Sequence, residues 1–152
     1  MVATTSPSPL VLAATQDSML HLVDCRVGSV VTDLKVSIGS TGLVRTLCIG
    51  PDGNSVIVGH TSGYISILDL RTGKLRQAWK AHEGEILTVH NLHSGVPASP
   101  CNGSTAASSA TGLSSSEFIS TSLDQTVSVW NSADGKLKAS LPGESLVLLF
   151  IR

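Results

Sequence analysis

Apolar and polar residues alternate with a period of two through most of this chain, and each alternating run stops at a cluster of Gly, Asp, Asn, Ser or Pro. That period puts successive side chains on opposite faces of an extended strand, so the runs predict β-strands and the clusters predict turns. The first group comprises Leu10–Ala14, Met19–Asp24 and Val30–Val36, with Gln16, Asp17 and Ser18 turning between its first two members. A second group runs Val44–Ile49, Ser55–Val58, Tyr64–Asp69 and Lys74–Trp79. Its first hairpin is GPDGN, Gly50–Asn54, where Pro51 presets φ and Gly53 supplies the positive φ of a tight turn. The third group is Ile86–Asn91, Phe118–Thr121, Thr126–Trp130 and Lys136–Leu141. No segment carries a helical period, and each group reads as a small antiparallel meander.

The groups are copies of one unit. LHLVDCRVGSV at residues 20–30, ISILDLRTGKL at 65–75 and VSVWNSADGKL at 127–137 share an alternating run, then Asp24, Asp69 or Asn131, then a glycine four positions later. Those glycines, Gly28, Gly73 and Gly135, stand 73 − 28 = 45 and 135 − 73 = 62 residues apart, so the second interval carries 17 extra residues. A period in the forties built from short strands is the signature of a propeller, in which each unit is one blade packed on its neighbours. The expected fold is all-β: a partial propeller of about three four-stranded antiparallel blades, open or fragmentary, at 10–38, 40–80 and 82–142. The segment His93–Ser116, rich in Ser, Ala, Gly, Thr and Pro, accounts for the surplus and is expected to be a flexible loop inserted in the third blade. Residues 1–9 are expected to be disordered, so that the chain starts at the second strand of its first blade. Residues 146–152 are expected to form the apolar first strand of a truncated further blade.

Net charge is −1, with 10 Lys and Arg scattered among 11 Asp and Glu, which leaves no electrostatic footprint for nucleic acid. Protein partners are the expectation, together with the missing blades of a parent chain. Cys25, Cys48 and Cys101 are odd in number and lack any CxxC spacing, so they are expected to be reduced, buried thiols rather than a disulfide framework or zinc site. No window approaches the roughly 18 apolar residues of a membrane-spanning helix.

The third unit, AHEGEILTVHNL followed by FISTSLDQTVSVWNSADGK, resembles a WD repeat, with Ala81-His82 at the family's Gly-His and Trp130-Asn131 at its Trp-Asp. The resemblance implies four-stranded propeller blades and, in a complete blade, a buried hydrogen-bond chain of His, Ser or Thr, Asp and Trp. The matching positions are His82, Ser120, Asp124 and Trp130. In the second unit they are Ser40, Val58, Ser62 and Leu68, and the first keeps only Asp17, so these two units resemble the family in period and strand pattern alone. ISILDLRTGKLRQAWKAHEGEIL is further similar to the propeller of BEACH-domain WD-repeat proteins of endosomal membranes, a likeness carried by Arg71, Thr72, Gly73, Trp79, Ala81, His82, Glu83 and Gly84. What that implies is a cytoplasmic scaffold recruited to endosomes, in endosomal and lysosomal trafficking or autophagy, with no cofactor.

Chemistry of another kind is weaker. Gly59-His60-Thr61-Ser62-Gly63 has Thr where GxSxG has Ser, and a strand follows where a nucleophile elbow needs a helix. His82 and Asp124 are better placed to stiffen a blade than to act as base and orienter. His90 and His93 are three apart, but on a strand and without a nearby carboxylate to complete a metal set. A propeller hydrolase would require polar residues on the innermost strands, where Arg45 and Thr88 are the main polar members; a phosphoinositide-binding propeller would require a basic doublet. Trp79 is expected to pack at a sheet edge, with an exposed interface anchor as the alternative. Strand connectivity puts Lys80–Glu85, Thr61–Gly63 and Leu123–Gln125 on one rim, so Lys80, Glu83, Glu85, Thr61, Ser62 and Gln125 form the candidate interaction surface.

Overall fold

The computed structural model describes residues 2–4, 10–15, 17–36, 41–50, 52–92 and 116–143, and its regular elements are all strands. The first sheet holds β1 (Val2–Thr4), β2 (Leu10–Ala14), β3 (Met19–Asp24) and β4 (Ser29–Lys35), in that order. The second holds β5 (Val44–Ile49), β6 (Ser55–His60), β7 (Tyr64–Asp69) and β8 (Leu75–Lys80). The third holds β9 (Ile86–Asn91), β10 (Glu117–Ser122), β11 (Thr126–Asn131) and β12 (Leu137–Pro142). Every pairing is antiparallel between chain neighbours, so each sheet is a meander, and the three are not closed into a ring. The expected insert His93–Ser116, apart from Ser116, and the expected strand at 146–152 lie outside the described residues.

One expectation is corrected at the amino terminus. Residues 2–4 are not disordered: Val2, Ala3 and Thr4 pair with Ala13, Leu12 and Val11, giving the first sheet its fourth strand. A three-residue strand is too short to display alternation, and the open edge of β2 accepts any backbone that can pair with it.

The repeat extends from sequence into geometry. Gly28, Gly73 and Gly135 have φ of 66°, 66° and 67°, and each donates its N–H to the carbonyl of Asp24, Asp69 or Asn131 at 2.8 Å. The side chains of those same three residues accept the amides of Arg26, Arg71 and Ala133 at 2.8, 2.9 and 2.9 Å. A left-handed backbone at the fourth position is what closes this turn, and glycine adopts it without steric cost. The outermost strands each bulge by one residue at equivalent places, Val31, Arg76 and Lys138, again 45 and 62 apart. Such bulges twist an edge strand away from flat pairing with other chains.

Two cores hold the sheets together. Leu12, Leu20, Leu34 and Val36 of the first pack on Leu47, Val56, Val58 and Leu68 of the second. Ile57, Ile65 and Ile67 of the second pack on Ile86, Val89, Phe118 and Trp130 of the third. Strand β6 is therefore buried along its whole length, with Val56 and Val58 in one core and Ile57 in the other. A strand covered on both faces has no solvent side to alternate toward, which explains its unbroken Val-Ile-Val.

A sealed hydrogen-bond chain beneath a candidate interaction rim

The turns from the second to the third strand of each sheet share one geometry. Ser18, Gly63 and Gln125 have φ of 63°, 82° and 64°, and their amides bond Thr15, His60 and Ser122 carbonyls, each at 3.2 Å. The residue leaving each outer strand then returns to the same turn: Val36 to the Ser18 carbonyl, Ala81 to Gly63, and Gly143 to Gln125. At Gly63 there is no room for a side chain, since an added Cβ would stand 2.1 Å from the His82 carbonyl oxygen. Loops entering and leaving the sheets are thus held on a fixed backbone frame.

On that frame the proposed surface residues come together. Lys80 Nζ bonds the Ser62 carbonyl at 3.0 Å and approaches Glu83 Oε2 at 3.8 Å, while the Glu83 side chain is 89% exposed. The Glu83 amide is pinned to Asp124 Oδ2 at 3.0 Å, so its backbone is fixed while its carboxylate is free to meet a partner. Glu85 pairs with Arg45 Nε at 2.8 Å, and its carbonyl accepts the Leu123 amide. Thr61 and Leu43 bond each other through Thr61 N to Leu43 O and Leu43 N to Thr61 Oγ1, both at 3.0 Å. Ser62 Oγ is turned inward to the Thr41 carbonyl, which removes its hydroxyl from the rim. Gln125 is exposed. Three members were not singled out for the surface by the sequence: Leu43, 46% exposed, Leu123, 60% exposed, and Arg45 between Leu43 and the Glu85 loop. Their signal was an apolar residue in a turn and at a strand entry, where polar residues are the rule.

Beneath the rim, His82, Ser120, Asp124 and Trp130 are linked. His82 Nδ1 lies 3.0 Å from Asp124 Oδ2, His82 Nε2 lies 2.7 Å from Ser120 Oγ, and the Trp130 indole N–H donates to Ser120 Oγ at 2.8 Å. Thr126 is a fifth member that the sequence pattern did not supply: its hydroxyl sits 2.8 Å from His82 Nδ1 and donates to Asp124 Oδ1 at 2.6 Å. Burial by itself would raise the Asp124 carboxyl. The Thr126 hydroxyl and amide, the Glu83 amide and the His82 ring outweigh it and hold the group at about 2. His82 is 3% exposed and Ser120 fully buried, so the imidazole and the hydroxyl of this set both lie inside the blade, with Asp124 half-buried above them.

The other two blades carry imidazole and hydroxyl pairs built from different positions. In the second sheet His60, wholly buried, places Nε2 2.9 Å from Ser66 Oγ, and burial pushes its pKa down. In the first sheet the partners are exchanged: His21 occupies the Ser66 position, with Nε2 3.2 Å from Thr15 Oγ1 and Nδ1 2.7 Å from Asp33 Oδ1. Trp79 is not an exposed anchor, because its ring is half-buried 5.7 Å from Trp130 and 6.4 Å from Phe118. Cys25 is exposed in the turn after β3, contrary to the expectation of burial, Cys48 is half-buried, and Cys101 lies outside the described residues. Among the described residues no three His, Cys, Asp or Glu side chains group as a metal site.

Comparison with known proteins agrees with this geometry. Residues 10–93 match the family model of the anaphase-promoting complex subunit 4 WD40 domain. Human WD repeat-containing protein 81 is 32% identical over 132 residues, 86% of this chain and 6% of that protein. Suppressor of organelle fusion 2 of Caenorhabditis elegans is 35% identical over 75 residues, 49% of this chain and 5% of that protein. The chain thus spans about one-twentieth of the length of these relatives. The crystal structure of the RRP9 WD40 repeats superposes with a TM-score of 0.73 over 95% of this chain and 38% of that one, at 17% identity, a likeness of fold. With its repeated turns, its stacked four-stranded sheets and these matches, the chain belongs to the WD40-repeat family.

Proposed function

We propose that this chain is a non-catalytic scaffold that binds other proteins through the rim at the junction of its second and third blades. The observation that carries the reading is the contrast at that rim. Backbone amides and carbonyls of residues 61–63, 81–85 and 123–125 are tied to one another, while Glu83, Lys80, Leu123 and Gln125 project from them. A rigid frame with exposed charged and apolar side chains binds at low entropic cost. A hydrolase reading is disfavoured by the commitment of both His82 ring nitrogens to partners within the blade, Ser120 buried and Asp124 and Thr126 half-buried.

The finer reading is cytoplasmic work at endosomal membranes, in endosomal and lysosomal trafficking or autophagy. It draws on the resemblance to BEACH-domain WD-repeat proteins, on similarity to WD repeat-containing protein 81 and on a relative whose name records suppression of organelle fusion. In a longer polypeptide of that kind, neighbouring blades complete the propeller. The test is affinity capture from cells with the tagged chain, against a double variant, Lys80→Glu with Glu83→Lys. Endosomal proteins are expected with the parent chain and lost with the variant at an unchanged melting temperature. Equal recovery from both, or recovery of no endosomal protein, would refute the respective part of the reading.

A further inference from the structure

The cross-strand registers make the faces of the three sheets directly comparable. Leu20 faces Leu34 on the first sheet, Ile65 faces Trp79 on the second, and Val127 faces Leu141 on the third. The first of these pairs packs on the second sheet, and Leu34 is 6% exposed; the next packs on the third sheet, with Trp79 against Phe118 and Trp130. Leu141, in the same place on the third sheet, is 61% exposed. The receiving faces compare in the same way. Val56 with Leu68, and Phe118 with Trp130, are 0–6% exposed where they accept the preceding sheet. Val11 with Val23, their equivalents on the first sheet, are only half-buried. Beside its apolar pair each receiving face also carries a polar residue on the third strand of its sheet, Ser66, Ser128 or His21, so His21 is in keeping with the pattern.

The row of described sheets therefore presents two unlike end faces that are mates by the rule of its own internal junctions. We infer that, in the 152-residue chain by itself, the Val127–Leu141 face docks on the Val11–Val23 face of a second copy, head to tail. This goes beyond the rim reading and does not rest on it. A head-to-tail contact either closes a ring or propagates. Propellers close with about four to eight blades, and two copies of three sheets make six, the one multiple of three in that range beyond a single copy. The assembly is a closed pair in which each chain uses both faces.

Size exclusion with light scattering on the 152-residue chain at micromolar concentration is expected to give twice 15.7 kDa. Val23→Asp and Leu141→Asp are each expected to reduce the mass to one chain while circular dichroism keeps the strand signal. If Val23→Asp loses that signal, Val11→Lys takes its place. An equimolar mixture of the two variants is expected to recover the two-chain mass, since the intact face of each is the mate of the intact face of the other. Leu137→Asp, equally on β12 but opposite Trp130, is expected to leave the mass unchanged. A one-chain mass for the parent, no recovery on mixing folded variants, or mixed aggregates that Leu141→Asp does not alter would each overturn the pairing.

Discussion

Replacing Asp124 by alanine removes a carboxylate whose contacts in the structure are all with groups that can donate to it. Oδ2 takes the His82 ring and the Glu83 amide, both at 3.0 Å; Oδ1 takes the Thr126 amide at 2.9 Å and hydroxyl at 2.6 Å. Glu83 is exposed and its amide regains water, so little is lost there. His82 keeps only Thr126 on that side of a ring that is almost wholly buried, and the Thr126 amide is left half-buried without its acceptor. Charge-assisted bonds contribute about 1.5–3 kcal/mol and an unmet buried donor costs about 1–3, so a loss of about 2–3 kcal/mol is expected. For a domain of this size that corresponds to a fall in melting temperature of roughly 4–12 °C. Asp124→Asn is the sharper control. Either orientation of the amide points its NH2 at a backbone N–H, of Glu83 or of Thr126, so asparagine is expected to cost about 1 kcal/mol or more despite its shape. Urea unfolding at one fixed protein concentration measures both, with the slope checked for constancy. A change below about 0.5 kcal/mol for alanine, the range of ordinary surface substitutions, would show that the linked side chains do not stabilise the blade.

Acid should act through the same group: its folded-state pKa of about 2 lies below the ordinary 3.8, so the unfolded chain takes up the proton first and stability falls with falling pH. The contribution is complete above about pH 4 and lost as pH drops through 2, roughly 1–2 kcal/mol after solvent screening, and urea midpoints at stepped pH should lose that slope in Asp124→Asn. Gly63→Ala should cost more than about 3 kcal/mol, because its φ of 82° is left-handed and the new Cβ would meet the His82 carbonyl at 2.1 Å. Gly28→Ala has a similar φ of 66° but open space, so about 1 kcal/mol is expected in the same unfolding assay; equal losses at the two sites would show that the crowding at Gly63 is relieved at no cost.

Most strands were legible because alternation and turn glycines agree, and β5, β7 and β9 have the boundaries that pattern predicts. Strand β6 runs two residues past the expected end at Val58, through Gly59 and His60, which pair with Thr46 and Val44. Gly59 is there for space: a Cβ would meet Thr46 and Ile86 at 2.6 and 2.7 Å. The chain from Trp130 to Asp124 was visible only through the resemblance to the WD repeat, whose pattern assigns each of its members a place in the unit. The His60–Ser66 and His21–Thr15 pairs were not, because the same bond is made from strand positions that the family pattern leaves unassigned. Exposure at Leu43, Leu123 and Cys25 depends on where loops end in space, which residue type alone does not determine.

Coverage of both faces of the middle sheet sets an order of opening. Among the described residues the buried cores join each sheet to its neighbour in the chain, so local stability follows the number of junctions a sheet takes part in. Amides of β6 and β7 take part in two junctions and should be the last to exchange with deuterated solvent, while β1 and β12, edge strands of the first and third sheets, fray first. The loop at 81–85 is anchored on one side by the Gly63 carbonyl and on the other by Leu123 and Asp124, so it ties the middle sheet to the third. The projecting side chains of the rim therefore ride on a loop fastened to the sheet whose inner strands are slowest to let go, and a partner gripping them pulls against that unit.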